Sequence, residues 1–175
     1  MAEKKEKEAV QAKVGKDHME LSFGPRWTYI SCVRGFVAHF FAIGLEDKIH
    51  AERISLAVSE LLENAVKYSS GPDTTVSASI LGKHNKVVAR VENQSTAEHI
   101  KELQGEIKGI CQKNPEEAYM AKLMEAANRT DGKSQLGLAR IRYETGAVLT
   151  VSINGDRVHV EATFPLVSNA EEATT

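Results

Sequence analysis

Cysteine is almost absent from this chain. Cys32 and Cys111 are the only two in 175 residues and stand far apart with no CxxC pair, which gives neither a disulfide framework nor a zinc-ligand pattern. Two reduced thiols are the plain reading. The six histidines, His18, His39, His50, His84, His99 and His159, form no HExxH motif and no tight ligand spacing, so no transition metal is assigned. Aromatic residues make up only 6%, and no window approaches the roughly 18 apolar residues that read as a membrane span. The opening MAEKKEKEAV lacks the apolar stretch of a signal peptide, which predicts a cytoplasmic chain with no membrane partner. Neither sign of charge dominates: 22 Lys and Arg face 24 Asp and Glu, for a net charge of −2. Without a global positive field, a dedicated nucleic-acid binder is excluded.

What is present suits one globular domain: 42% apolar and 26% charged residues over a length that holds one core. Residues 1–17 carry five lysines against four acids with almost nothing apolar, and 167–175 look similar. Both ends read as tails, leaving 18–166 for the domain. Within it, Met19, Leu21 and Phe23 alternate with polar residues up to Gly24-Pro25, as a short half-buried strand does. Trp27, Ile30, Val33, Val37, Phe40 and Phe41 then recur at helical spacing, with Pro25 in the first turn and Gly44 closing the C-terminus. A second helix opens with acids near 45, carries Ile54, Ala57, Val58, Leu61 and Ala65, and stops at Ser69-Ser70-Gly71-Pro72. TTVSASIL from Thr74 and KVVARVEN from Lys86 read as a hairpin across Gly82-Lys83-His84-Asn85.

Residues 96–131 form a helical insert. Ile100, Leu103, Ile107 and Ile110 make one stripe, and Asn114-Pro115-Glu116-Glu117 offers a cap, a first-position proline and first-turn acids for the next helix. The cluster Tyr119, Met120, Leu123 and Met124 at helical spacing is expected in the core rather than at an interface. Asp131-Gly132-Lys133-Ser134 breaks the insert, LGLARIRYETG is a short helix, and AVLTVSI and RVHVEATF are strands turned by Asn154-Gly155. Strands and helices alternate in blocks, without repeats. The predicted class is α+β: a two-layer α/β sandwich with a mainly antiparallel mixed sheet and helices on one face.

Glu60, Asn64 and Lys67 fall four and three apart on the second helix and so share one face, largely away from its apolar residues. A carboxamide oxygen suits Mg²⁺ beside substrate phosphates, a nearby carboxylate can accept a proton, and a lysine can meet phosphate as a point charge. The same spacing is also ordinary helix decoration, worth about 0.2–0.5 kcal/mol.

The stretch AVSELLENAVKYSS resembles the asparagine box of the GHKL ATPases, the group of gyrase, Hsp90, histidine kinases and MutL. With no dimerisation helix or phosphoacceptor box upstream, the layout is most similar to the anti-sigma factor serine/threonine kinases, over about 21–164. The resemblance implies the Bergerat fold, with ATP held between the helix layer and a lid formed by the insert. It implies Asn64 as the Mg²⁺ ligand, Glu60 as the carboxylate activating the attacking group, and Lys67 beside the phosphates. Asn93, in VARVENQS, stands where the family has an adenine-binding aspartate; it keeps one acceptor oxygen and adds donors. Gln94, Ser95 and Thr96 follow where the family has glycines. SQLGLARI resembles the second glycine box, with Gln135 at a usual glycine position, Gly132 more distant, and Gly137 and Leu138 near the phosphates, where free helix amides bind anions. Arg140 and Arg142 are expected in solvent, and His99 and Cys111 receive no role.

Two functions follow from the resemblance. One is a Mg-ATP-binding regulator that phosphorylates or sequesters a partner such as a STAS-type anti-sigma antagonist, a sigma factor or a receiver domain. The other is a catalytically inactive interaction module on the same fold that binds no nucleotide. A homodimer through the apolar run 37–43, with Phe40 and Phe41, stays open beside burial of that run in the core.

Overall fold

The computed structural model describes residues 17–81, 86–128 and 136–166. The predicted hairpin turn at 82–85, the break with Gly132 and Gln135, and nearly all of both tails lie outside the described residues. Asp17, assigned above to a tail, instead begins β1 (Asp17–Phe23) and pairs with Ile80.

Helix α1 (Trp27–Leu45) follows β1, and α2 (Lys48–Lys67) folds back against it. Asp47 starts α2 by accepting hydrogen bonds from the backbone N–H groups of Ile49 and His50 at 2.9 and 3.0 Å. Strand β2 (Thr74–Leu81) has the predicted limits, and β3 (Lys86–Gln94) runs one residue past the predicted end at Asn93. The insert folds as α3 (Ala97–Cys111) and α4 (Pro115–Ala127), capped by the side chains of Thr96 and Asn114. Next come α5 (Gly137–Thr145), β4 (Val148–Asn154) and β5 (Arg157–Pro165).

The five strands lie in the order β1-β2-β3-β5-β4, and every pairing is antiparallel. The parallel component that a mixed sheet allows is therefore absent among the described residues. One sheet face is apolar, with Val76, Ala78, Val87, Ala89, Val91, Ala162 and Phe164 buried beneath the helices. The other is polar, held by Arg90–Glu161 and by Glu92 with Arg157 and His159. This alternation is the period-2 signature of a sheet covered on one face.

Three local expectations change. Pro25 precedes α1 rather than entering its first turn, and Gly44 lies inside the last turn, because the left-handed cap residue is Glu46 at φ 55°. The β4–β5 turn is Gly155-Asp156, one residue later than predicted; Gly155 takes φ 64°, the positive value that a two-residue hairpin demands at its first position. The third concerns α1 itself. At 19 residues and mean hydropathy 1.4 it is long and apolar enough, by length and composition, to cross a membrane, contrary to the reading that no window approaches this.

Its inner stripe of Ile30, Val33, Val37 and Phe41 is nevertheless packed into the domain core. Phe41 is fully buried and meets Phe40 edge-on at 5.4 Å between ring centroids. Phe41→Ala removes a ring from a close-packed core and is expected to cost about 3–5 kcal/mol, read as a drop of roughly 10 °C in thermal midpoint. A shift under a few degrees would mean that the α1–sheet contact contributes little.

Candidate functional site

One cavity of about 330 Å³ opens between the helix layer and the sheet, within the size range of small-molecule sites. All six residues singled out in the sequence, Glu60, Asn64, Lys67, Asn93, Gly137 and Leu138, line it. They arrive from three elements. Helix α2 supplies the first three on the face opposite its buried Leu62 and Val66. The end of β3 supplies Asn93, and the first turn of α5 supplies Gly137 and Leu138.

Glu60 sits where α2 meets α5. A Cβ on Gly137 would lie 2.5 Å from its Oε2 and 3.8 Å from Asn64 Nδ2, so only glycine lets the carboxylate and the helix start approach this closely. Arg140, one turn along α5, donates to Glu60 Oε1 and lies 3.8 Å from Glu144. Burial raises the Glu60 carboxyl above the usual carboxylate range; Arg140 opposes that rise, and the neighbouring Glu63 and Glu144 add to it. The expectation that Arg140 and Arg142 lie free in solvent is thus corrected. Arg142 also has partners: its guanidinium donates to the backbone carbonyls of Ile110 and Lys113, at and just beyond the C-terminal end of α3.

Asn93 is buried, and its Nδ2 donates to the backbone oxygen of Gln94 at 2.9 Å. With the amide nitrogen so engaged, Asn93 keeps its oxygen as an acceptor. The three residues standing in place of glycines each have a structural task. Gln94 Nε2 donates to Asp156 at 3.1 Å, Ser95 Oγ donates to the Tyr68 carbonyl at 2.8 Å, and Thr96 caps α3. They tie the end of β3 to the end of α2 and to the β4–β5 turn.

The cavity wall contributed by α3 is absent from the sequence assignment. His99, Glu102, Leu103 and Glu106 face the cavity at the i, i+3, i+4, i+7 spacing of one helical face. That spacing was legible, but it is polar where the apolar stripe drew attention. The His99 ring lies 4.9 Å from that of Tyr68, and its Nδ1 is buried without a partner among the described residues. Burial also raises the Glu106 carboxyl, with Lys122 opposing. Lys67 Nζ stands 5.0 Å from the centre of the Tyr68 ring, at cation–π distance. Four carboxylates, Glu60, Glu63, Glu102 and Glu106, therefore face two cations, Lys67 and Arg140.

A magnesium ion fits this donor set only in the company of a ligand's own oxygens: Asn64 offers one carboxamide oxygen, and no group of three metal-binding side chains occurs among the described residues. Among the described residues no side chain caps the N-terminus of α5, and first-turn amides of this kind can meet an anion.

Outside the cavity, the core assignment of the α4 cluster fails. Met120, Leu123 and Met124 are exposed, and only Tyr119 is half-buried, stacked on Tyr143 at 4.8 Å. Ala118 is the buried residue of α4, so the larger side chains of that helix face outward.

No protein-family model and no curated protein matches the sequence. Solved structures do match. A chain of the SiaB–SiaC complex from Pseudomonas aeruginosa superposes with a TM-score of 0.65 and 15% identity, over 90% of this chain and 94% of that one. The histidine kinase AdeS of Acinetobacter baumannii aligns at a TM-score of 0.42 and 13% identity, over 92% and 72%. Identity this low speaks for architecture alone: the chain shares the α+β fold of the SiaB–SiaC chain, with an antiparallel sheet, helices on one face and a cavity between them, as the resemblance in the sequence led one to expect.

Proposed function

We propose that the protein is a signalling regulator that binds Mg-ATP in this cavity and transfers phosphate to a serine or threonine of a partner protein, in the manner of the anti-sigma factor kinases it resembles. The observation that carries the reading is the convergence of Glu60, Asn64 and Gly137 at the junction of α2 and α5, with Asn93 lining the same cavity. Bound Mg-ATP would supply the phosphoryl group and a divalent charge shared across its phosphates. Asn64 would hold the metal through its oxygen, and Asn93 would accept a hydrogen bond from the adenine amine. The first-turn amides of α5, at Gly137 and Leu138, would face phosphate.

Glu60 would take the proton from the partner's hydroxyl, a role suited to a carboxylate whose affinity for protons is already raised by burial. Arg140 holds Glu60 through an ion pair. A phosphate group competes for the same guanidinium, so binding would free Glu60 as it engages Arg140. The partner is proposed to be a STAS-type antagonist, with a sigma factor or receiver domain as the sequestered alternative. The SiaB–SiaC neighbour was solved as a complex of two proteins, which supports a protein partner.

A second reading, an interaction module without nucleotide, is favoured by the four carboxylates around the cavity. The two readings separate in a calorimetric titration with ATP, with and without Mg²⁺, on wild type and Asn64→Ala. The acidic wall repels free ATP, so the kinase reading expects binding at least about tenfold weaker without Mg²⁺ and comparably weaker in Asn64→Ala. No heat up to millimolar ATP would establish the module instead.

A further inference from the structure

Trp27 opens α1, is the chain's one tryptophan and is 57% exposed. It nevertheless lines the cavity, and among the described residues it makes no ring contact and no side-chain hydrogen bond. Helix α2 folds back along α1 through Glu46-Asp47, which sets Trp27 beside the end of α2, where Glu63 and Lys67 lie. Glu63, and Glu102 from α3, are exposed on the same cavity, and neither forms an ion pair among the described residues. Lys67, one turn after Glu63 and spaced to pair with it, stands by the Tyr68 ring instead. The rim of the cavity thus holds an uncovered indole and two carboxylates without counter-charge.

We propose that Trp27 is a recognition residue at this rim, on which an arginine or lysine side chain of the partner protein stacks while Glu63 and Glu102 supply the counter-charge. The inference deepens the phosphotransfer reading and rests on it for one point, that this cation lies close in sequence to the hydroxyl that receives phosphate. Indole is the aromatic face that cations favour most, and tryptophan is among the side chains that dominate protein contacts. A guanidinium suits the rim best, because its plane stacks on a ring while its edge donates to a carboxylate. A nucleotide suits it less, because its phosphates meet repulsion from Glu63 and Glu102, and an aliphatic side chain would leave both acids unmatched. The proposal also accounts for an adverse feature of the cavity, its four carboxylates. Glu60 is paired with Arg140 and Glu106 is half-buried, which leaves Glu63 and Glu102 as the exposed charges. A basic acceptor neutralises those two as it docks, and an acidic one is turned away.

The test uses the full chain and three short serine peptides with a dye at the C-terminus: Gly-Arg-Arg-Ala-Ser-Ala-Gly, and the same peptide with Ala-Ala or Glu-Glu in place of Arg-Arg. Dye anisotropy reads binding, and with unlabelled peptide the emission of Trp27 reports the rim directly. At low salt the Arg-Arg peptide should shift Trp27 emission and bind at least about tenfold more tightly than the Ala-Ala peptide, and the Glu-Glu peptide should not bind. Trp27→Ala should weaken the Arg-Arg peptide by about tenfold, with Trp27→Phe in between. Glu63→Gln and Glu102→Gln should each weaken it by about three- to fivefold. All these substitutions fall on exposed positions, and circular dichroism checks that each variant folds. Equal binding of the Arg-Arg and Ala-Ala peptides, indifference to Trp27→Ala, or no binding of the Arg-Arg peptide up to about 1 mM would each overturn the inference. A Trp27 shift with Mg-ATP that excludes the peptide would give the indole to nucleotide and overturn it too. Mg-ATP is titrated separately: ATP binding without a preference for arginine keeps phosphotransfer and removes the cation subsite. Charge-selective peptide binding to a chain that binds no ATP keeps the subsite and removes phosphotransfer.

Discussion

Glu60→Gln is expected to leave Mg-ATP binding intact or tighter while lowering phosphotransfer to the partner by about 100- to 10,000-fold, the usual contribution of a general base. The substitution keeps the size of the side chain and removes only its charge. Binding should gain for two reasons: one of four carboxylates around the cavity is lost, and Arg140 no longer has Glu60 as an ionic partner. Transfer should fall because glutamine accepts no proton. The pH profile gives a second readout. Since burial raises the Glu60 carboxyl, the acid limb of wild-type transfer should lie above the ordinary carboxylate range, near 4.5, and the limb should vanish from the residual activity of the variant.

The linkage to stability has the opposite sense to that of a salt-bridged acid. A carboxylate with a raised folded pKa binds protons more readily in the folded chain, so its contribution weakens as pH rises through that value. Glu60→Gln should therefore gain on wild type, in urea unfolding, as pH increases from about 4.5 through the raised value. Unchanged transfer at neutral pH would remove Glu60 from the chemistry.

Much of the scaffold could be read from the residues because its signals are local. The alternation in TTVSASIL sets β2 to the residue, KVVARVEN sets β3 to within one residue, and Asn114-Pro115 sets the start of α4. The asparagine-box helix and the residues matched to it converge on one cavity, because a spacing of four and three fixes a face regardless of what packs against it. What escaped depends on which neighbour a side chain finds. Arg140 looked solvated because nothing in LGLARI says that α5 lands beside Glu60. Met120, Leu123 and Met124 looked like core because helical spacing is the same for a buried and an uncovered face. Gln94, Ser95 and Thr96 stand where a glycine box is expected, yet the first two make bonds that hold the end of β3 in place and Thr96 caps α3.

Gly137→Val is expected to reduce Mg-ATP affinity by at least about 100-fold while leaving the fold standing. Gly137 is the first residue of α5 and takes no left-handed conformation, so a side chain there meets no backbone strain. What it meets is the site. A Cβ falls 2.5 Å from Glu60 Oε2, well inside contact distance, and the added methyls of valine extend further toward α2. Glu60 must swing away, which breaks its pairing with Arg140, and the branched side chain occupies space between Asn64 and the first-turn amides of α5. Phosphate then loses its close approach to those amides. Gly137→Ala supplies the graded control: one methyl against the mobile end of a glutamate should shift affinity by about tenfold or less. The unfolding midpoint reports the other half, since a valine in the first turn of a helix costs under about 1 kcal/mol. Wild-type ATP affinity in a folded Gly137→Val protein would mean that the α2–α5 junction is not where phosphate sits, and the cavity would then be read as part of a protein-binding face.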